Sequence, residues 1–456
     1  MTDRRLTRRR LLKTLSLAGA AALSGCSGQT SPSSTPTISG TETNESADGA
    51  KGGIPMFRYD AANTGHRPDG TGPTAEGTET WRVETDGPVR SSPAVVDGSV
   101  YVSSVDGVVY ALGDGGRVRW NTEIGQAGIS SPAVVDGTVH VGGSDGLYAL
   151  AAADGSEEWQ VDTPGPVTSS PTVVDDAVYV GDNEGTLLAF ERTGAERWRR
   201  ELAGTTERNG RRDPSENRLS VGGQQAQSAG DAVSTPAVDD GTVYVATAKE
   251  LYAVDADSGE PQWSSRFDTA AGTDGSRVER LSGGDSTTGV ERLQTTRTVP
   301  SSPAVVDGVL YVGQYPDTAA VDAASGERVW QAGTPSRTDG AAAEPPQSRL
   351  QVATVLMGSP AVADGRTLVG GDRFVGLETE SGTVEWERSL SVRSSPAVVS
   401  ETAYVGTTDG SVVGLDAESG TTEWSVDTAG SVVSSPAVHD GTVYVGDLDG
   451  WVYAFE

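Results

Sequence analysis

Short apolar runs rich in valine and tyrosine recur along the chain from about residue 90 to its end, as in Ser99-Val-Tyr-Val, Thr138-Val-His-Val, Thr242-Val-Tyr-Val and Thr442-Val-Tyr-Val. Alternation at a spacing of two marks strands, and the Asp-Gly or Ser-Gly pairs between the runs suit hairpin turns that need positive φ. The spacing of an amphipathic helix is absent.

The runs belong to a repeat. Ser-Pro-Ala or a close variant recurs eight times, with its proline at Pro93, Pro132, Pro171, Pro236, Pro303, Pro360, Pro396 and Pro436. A turn, a Thr-Val-Tyr-Val-like strand, a second turn, a Leu-Tyr-Ala-Leu-like strand and then Gly-x-x-x-Trp follow. From proline to tryptophan the distance is 27 residues in the first five units, then 26 and 28. A period near 39 with four strands is the signature of a propeller blade. Immunoglobulin-like arrays need about 100 residues per unit, and solenoid coils usually hold fewer strands per turn.

The chain ends complete the count. The eighth unit stops at Phe455-Glu456 without its tryptophan strand, whereas Gly77-Thr78-Glu79-Thr80-Trp81 has the Gly-x-x-x-Trp spacing with no Ser-Pro-Ala before it. The Trp81 strand is therefore expected to complete the last blade. The predicted fold is all-β: an eight-bladed β-propeller of four-stranded antiparallel blades, closed by an N-terminal strand so that its edges are paired. Trp81, Trp120, Trp159, Trp198, Trp263, Trp330, Trp386 and Trp424 are assigned to structural docking in the wedges between blades. Each buries roughly 200 Å², an upper bound of about 5 kcal/mol gross at ~25 cal/mol per Å². Trp451 stands outside the repeat position, at the start of a third strand, and is a candidate for partner binding.

The front of the chain reads as an export device. A cationic start, an apolar stretch from Leu15 to Leu23 and small residues before Cys26 make a signal peptide too short to span a bilayer. Thr7-Arg8-Arg9-Arg10-Leu11-Leu12-Lys13 resembles the twin-arginine export motif, and Leu23-Ser24-Gly25-Cys26 a lipoprotein processing box. The expected organisation is a signal peptide at 1–25, lipidated Cys26 with a disordered Ser/Thr/Gly tether at 26–55, and the propeller at 56–456. The protein would then be held outside the cytoplasm, on the outer face of the membrane. The alternative at Cys26 is a free thiol. Asn44-Glu45-Ser46 is a sequon that glycosylation could use or leave.

Composition narrows the chemistry. Net charge is −30 and only Lys13, Lys51 and Lys249 are lysines, so nucleic acid is an unsuitable partner. An acidic skin of the halophilic kind accounts for the charge, with an acidic surface for one basic partner as the alternative. The single cysteine excludes a disulfide or zinc framework within one chain. His66, His140 and His439 are scattered, with His140 in a tyrosine position, and Asp447 and Asp449 lie in a turn without a calcium-loop pattern. Catalytic and metal-binding residues are expected to be none. Hydroxyls open nearly every inner strand (Ser91, Ser130, Ser169, Ser234, Ser301, Ser394, Ser434), either lining the axis for a small polar ligand or satisfying converging backbone groups.

Three adjacent junctions, between the third and sixth units, are longer than the rest. Within them, residues 199–232, 264–298 and 331–355 carry 13 arginines against 12 acidic residues, a near-neutral exception on an acidic chain. Arg208, Arg211, Arg212, Arg218, Arg277, Arg280 and Arg292 are candidates for partner binding, suited to bidentate recognition of carboxylate or phosphate. The alternative is that they pair with the acidic rim. Blade-to-blade connections share a face with the second-to-third turns, so the inserts should cover one sector of that face.

Residues 81–456 resemble the pyrroloquinoline-quinone (PQQ)-type propeller repeats. The family's docking motif is matched by Ala253-Val254-Asp255-Ala256-Asp257-Ser258-Gly259 before Trp263, by Ala320-Val321-Asp322-Ala323-Ala324-Ser325-Gly326 before Trp330, and closely by Leu415-Asp416-Ala417-Glu418-Ser419-Gly420 before Trp424. Phe57-Arg58-Tyr59-Asp60-Ala61-Ala62-Asn63-Thr64-Gly65 is similar to the lead-in of many exported members. The resemblance implies one of two classes. Quinoprotein dehydrogenases hold the quinone and a calcium ion on the axis, often under a disulfide between adjacent cysteines, which this chain lacks. The other class is similar to the lipoprotein of the outer-membrane barrel-assembly machinery, a non-catalytic scaffold. The expectation is a monomeric, lipid-anchored scaffold that binds a protein or cell-envelope component and takes no cofactor. The alternatives are a dehydrogenase with PQQ and Ca²⁺, or a solute-binding receptor.

Overall fold

The computed structural model of the chain describes residues 53–73, 77–125, 129–202, 219–221, 224–226, 232–248, 250–266, 297–299, 301–314, 317–333, 354–356 and 358–456. Cys26, the export segment, residues 27–52 of the expected tether and the seven candidate insert arginines lie outside them, whereas Ile54 and Pro55, expected in the tether, are hydrogen-bonded to blades 1 and 2. The described residues form eight four-stranded antiparallel sheets arranged as an eight-bladed propeller, with no α-helix among them. Blade 1 begins at Ala94–Val96 and blade 7 at Ala397–Val399, each inner strand following a Ser-Pro pair.

The repeat chemistry dictates each blade. The turn between inner and second strands needs two left-handed residues, and Asp97-Gly98 supplies them at φ 49° and 68°. Buried valines alternate into the two wedges flanking each sheet, so every wedge is lined by residues from two blades. Each outer strand carries one extra residue immediately before its tryptophan, such as Arg119 before Trp120 or Val329 before Trp330. A bulge there increases local twist and re-aims the next side chain. The tryptophan then lies opposite alanine or glycine of the third strand, as in Trp198↔Ala189 and Trp386↔Gly376, which explains the small residue of the Leu-Tyr-Ala-Leu run.

The Gly-x-x-x-Trp spacing is a contact between blades. The glycine of one blade lies flat on the tryptophan of the preceding one: Gly155 on Trp120, Gly259 on Trp198, Gly382 on Trp330, Gly420 on Trp386. A Cβ at Gly382 would sit 2.5 Å from the Trp330 ring, and φ is +70° there, so any side chain meets both a clash and strain. The contact runs right round the ring, through Gly77 on Trp424 and Gly116 on Trp81.

Blade 8 closes as the sequence predicts. Glu79–Glu84 pairs antiparallel with Trp451–Phe455, placing Trp81 opposite Ala454. Thr78 and Glu456 exchange backbone hydrogen bonds at 2.8 and 3.0 Å.

Candidate functional site

In six of the eight inner strands the amide of the second residue, a valine, is a backbone donor that needs an acceptor outside its sheet. The lead-in supplies them. Val95 N–H donates to Ile54 O at 2.8 Å, Val134 to Pro55 O at 2.6 Å, Val238 to Ala61 O at 2.7 Å, Val305 to Ala62 O at 2.9 Å, Val362 to Thr64 O at 3.0 Å and Val398 to Gly65 O at 2.7 Å. Residues 54–65 thus visit blades 1, 2, 4, 5, 6 and 7 in order. His66–Arg67 then pairs in parallel with Val398–Val399, and Gly441 N–H of blade 8 donates to Thr71 O at 3.0 Å. The lead-in makes one circuit of the axis before its outer strand closes the ring.

Turning so tightly puts Arg58, Tyr59 and Asn63 at φ 61°, 76° and 56°. Local hydrogen bonds hold these strained positions. Asp60 accepts from Thr64 N–H at 3.0 Å and from the Thr64 hydroxyl. Asn63 Nδ2 donates to Pro236 O at 2.9 Å, and Arg58 Nη2 to Thr64 O at 3.1 Å and to Pro360 O. Burial pushes the Arg58 guanidinium down to about 9, against the opposing pull of Asp60. The Asp60 carboxyl is raised by its own burial, against its bonds from Thr64.

Above this thread lies a belt of hydroxyls. The first serine of each pair binds the end of its own second strand, as in Gly142 N–H to Ser130 Oγ at 2.9 Å and Gly446 N–H to Ser434 Oγ at 2.8 Å. The second hydroxyl links blade to blade. Ser92 N–H donates to Ser131 Oγ, Ser131 to Ser170, Ser170 to Thr235, Ser302 to Ser359, Ser359 to Ser395, Ser395 to Ser435 and Ser435 back to Ser92, all at 2.9–3.1 Å. Sequence reading singled out the first hydroxyls and missed the second, although Ser-Ser-Pro and Ser-Thr-Pro spell both.

On the face of the blade connections, Trp451 is half-buried against the wedge of blades 7 and 8, and the Arg82 guanidinium lies 4.8 Å from its ring centroid. Inserts two and three meet there: Arg297–Val299 pairs in parallel with Thr354–Leu356, just ahead of blades 5 and 6. A cleft of about 400 Å³ opens between blades 4 and 5, lined by Ser264, Arg266, Asp317, Arg328 and Gln331. Of its polar groups, Gln331 donates to Asp317 at 2.7 Å, and Arg266 donates to Glu250 beside the cleft at 2.8 Å. Buried His140 packs on Trp159 with ring centroids 5.6 Å apart, and neither ring nitrogen has a hydrogen-bond partner. Among the described residues, no three of His, Cys, Asp and Glu gather where they could hold a metal ion.

Residues 73–271, 221–351 and 317–456 match the family model described as outer membrane protein assembly factor BamB. No curated protein sequence matches the chain. Among solved structures, BamB from Moraxella catarrhalis is 20% identical, covering 83% of this chain and 99% of its own, with a TM-score of 0.57. A europium-containing methanol dehydrogenase is 15% identical, covering 89% and 98%, with a TM-score of 0.62. The quinohemoprotein alcohol dehydrogenase from Comamonas testosteroni is 18% identical, covering 90% and 81%, with a TM-score of 0.60. These likenesses establish the propeller fold, and with matches that span the chain from residue 73 to its end, this protein belongs to the PQQ-repeat family of outer membrane protein assembly factor BamB.

Proposed function

We propose that the protein is a non-catalytic, monomeric scaffold, lipid-anchored at Cys26 on the outer face of the membrane after twin-arginine export, which binds a protein or cell-envelope component through its insert-bearing face. The observation that carries this reading is the occupied axis. The quinone and metal that the dehydrogenase relatives imply would need axial space, and the lead-in fills it with backbone bonded to six blades. The cavity between the lead-in and blades 1, 7 and 8 leaves about 10 Å³ for the centre of a water-sized sphere, far too little for a fused-ring quinone. That narrow space supports the cofactor-free reading. The pairing of inserts two and three supports a shared binding surface on one face, to which the insert arginines would contribute.

Adding PQQ and Ca²⁺ to the purified protein should leave its melting temperature unchanged, and a rise of several degrees would favour the dehydrogenase reading. Cross-linking in the native cell envelope tests the scaffold role. Deletion of residues 205–230 should abolish the cross-linked product while preserving the melting temperature, and retained product would refute the insert face as the binding surface. The Arg8→Lys/Arg9→Lys variant should accumulate inside the cell, and Cys26→Ser should be released to the medium. Unchanged location of either would contradict the anchor.

A further inference from the structure

We propose that the axis holds a bound monatomic anion of the halide class, seated on the guanidinium of Arg58. Arg58 is only 6% exposed, at the centre of the molecule. Its Nη2 is engaged by the Thr64 and Pro360 carbonyls, yet Nε and Nη1 are buried with no hydrogen-bond partner in the protein. A guanidinium carries five N–H donors and no acceptor, and leaving several of them unmet in a dry interior costs more than an ordinary missing hydrogen bond.

Arg58 borders a small cavity between the lead-in and blades 1, 7 and 8, which Tyr59, Ser92 and Ser435 also line. Ser92 Oγ and Ser435 Oγ each accept an amide from the preceding blade, so each keeps its hydroxyl proton to give. The side chains around the cavity therefore offer donors, and none is a carboxylate. Asp60, the nearest acid in sequence, spends its oxygens on Thr64 instead. About 10 Å³ for the centre of a water-sized sphere admits one monatomic ion and excludes phosphate, sulfate or an organic acid. A buried guanidinium with unpaired N–H groups, beside hydroxyls that keep a proton to give and with no carboxylate in the lining, favours an acceptor with negative charge. The bound anion would tie the strained Arg58-Tyr59 turn of the lead-in to the hydroxyl belt.

Crystals of the mature protein grown with bromide in place of chloride provide the direct test. An anomalous bromide peak within hydrogen-bonding distance of Arg58 Nε or Nη1 is expected. Water at that position, or no peak there, would overturn the proposal. In solution at constant ionic strength, replacing gluconate by chloride should raise the melting temperature by about 2 °C for each tenfold excess over the dissociation constant. Arg58→Met should lose that increment, and an increment unchanged in Arg58→Met would contradict the site. Should Arg58→Met fail to fold, the bromide map of the unaltered protein decides alone. The result is separate from the scaffold role, which stands or falls on partner capture.

Discussion

The Thr80 hydroxyl donates to the Ala454 carbonyl at 3.0 Å, joining residues 374 positions apart in the chain. That bond lies beside the Trp81↔Ala454 pair, where the first tryptophan strand completes a blade otherwise built from the last residues of the protein. Closure of this kind completes the eighth sheet by pairing its third strand on both sides, and makes the stability of every wedge depend on its neighbours.

A wedge tryptophan is the largest apolar group each blade contributes. Trp330 is 9% exposed and sits against Tyr311 at 6.1 Å, between blades 5 and 6. Trp330→Ala should cost about 3–5 kcal/mol in chemical denaturation. A negligible loss would show that the indole does not dock the blades.

Gly382 covers the ring of that same Trp330. Gly382→Ala should destabilise by about 1–3 kcal/mol through overpacking and its positive φ. The clash disappears when the indole does, so the Gly382→Ala/Trp330→Ala double variant should lose clearly less than the two single losses added together. Strict additivity in that cycle would deny the contact.

Indole hydrogen bonds distinguish the closing wedge from the others. Trp386 Nε1 donates to Ala417 O at 3.1 Å in the next blade's turn, as Trp120 does to Ala152 O at 2.9 Å. Trp424 Nε1 is buried without a hydrogen-bond partner among the described residues. Trp386→Phe should therefore cost about 1–2 kcal/mol more than Trp424→Phe, the value of an indole hydrogen bond and its stranded carbonyl. Equal losses in denaturant titrations would contradict this asymmetry.

His140 stands where other blades carry tyrosine, and burial, aided by Arg192, lowers it to about 4. The unfolded chain takes up this proton near pH 6.5, the folded chain only near 4. The stability is therefore complete above about pH 6.5 and falls as pH drops toward 4, by about 3 kcal/mol in all. Tyr101 and Tyr179 share the carbonyl that receives their blade's indole N–H, at 3.4 and 3.2 Å. His140→Tyr should accordingly flatten the pH dependence of the melting temperature in that window and gain a bond to Arg192 O. An unchanged slope between pH 6.5 and 4 would contradict the assignment.

Blade number, strand order and closure were legible because each depends on side chains that recur: a turn needing Asp-Gly, a wedge needing tryptophan, a stacking position tolerating only glycine. The lead-in was legible only as a resemblance. It binds through its carbonyls, which every residue has, so Ile54, Pro55, Ala61 and Ala62 carry no pattern that announces an axial thread. Arg58 was named only as part of that resemblance, and the fold buries it to 6% exposure. Trp451 stood out by position, yet Arg82 from the far end of the chain covers its ring. No local reading could pair those two.

Ring closure is tested most directly by a covalent bond across it. In a Cys26→Ser background, Thr78→Cys/Glu456→Cys places two thiols at positions whose backbones exchange hydrogen bonds. Closure predicts quantitative disulfide formation under mild oxidation, seen as a faster band on a non-reducing gel. It also predicts a raised melting temperature, since the bond would constrain nearly the whole unfolded chain. Thiols that stay free and monomeric under the same oxidant would place residue 78 far from residue 456 and contradict the closed eight-bladed ring.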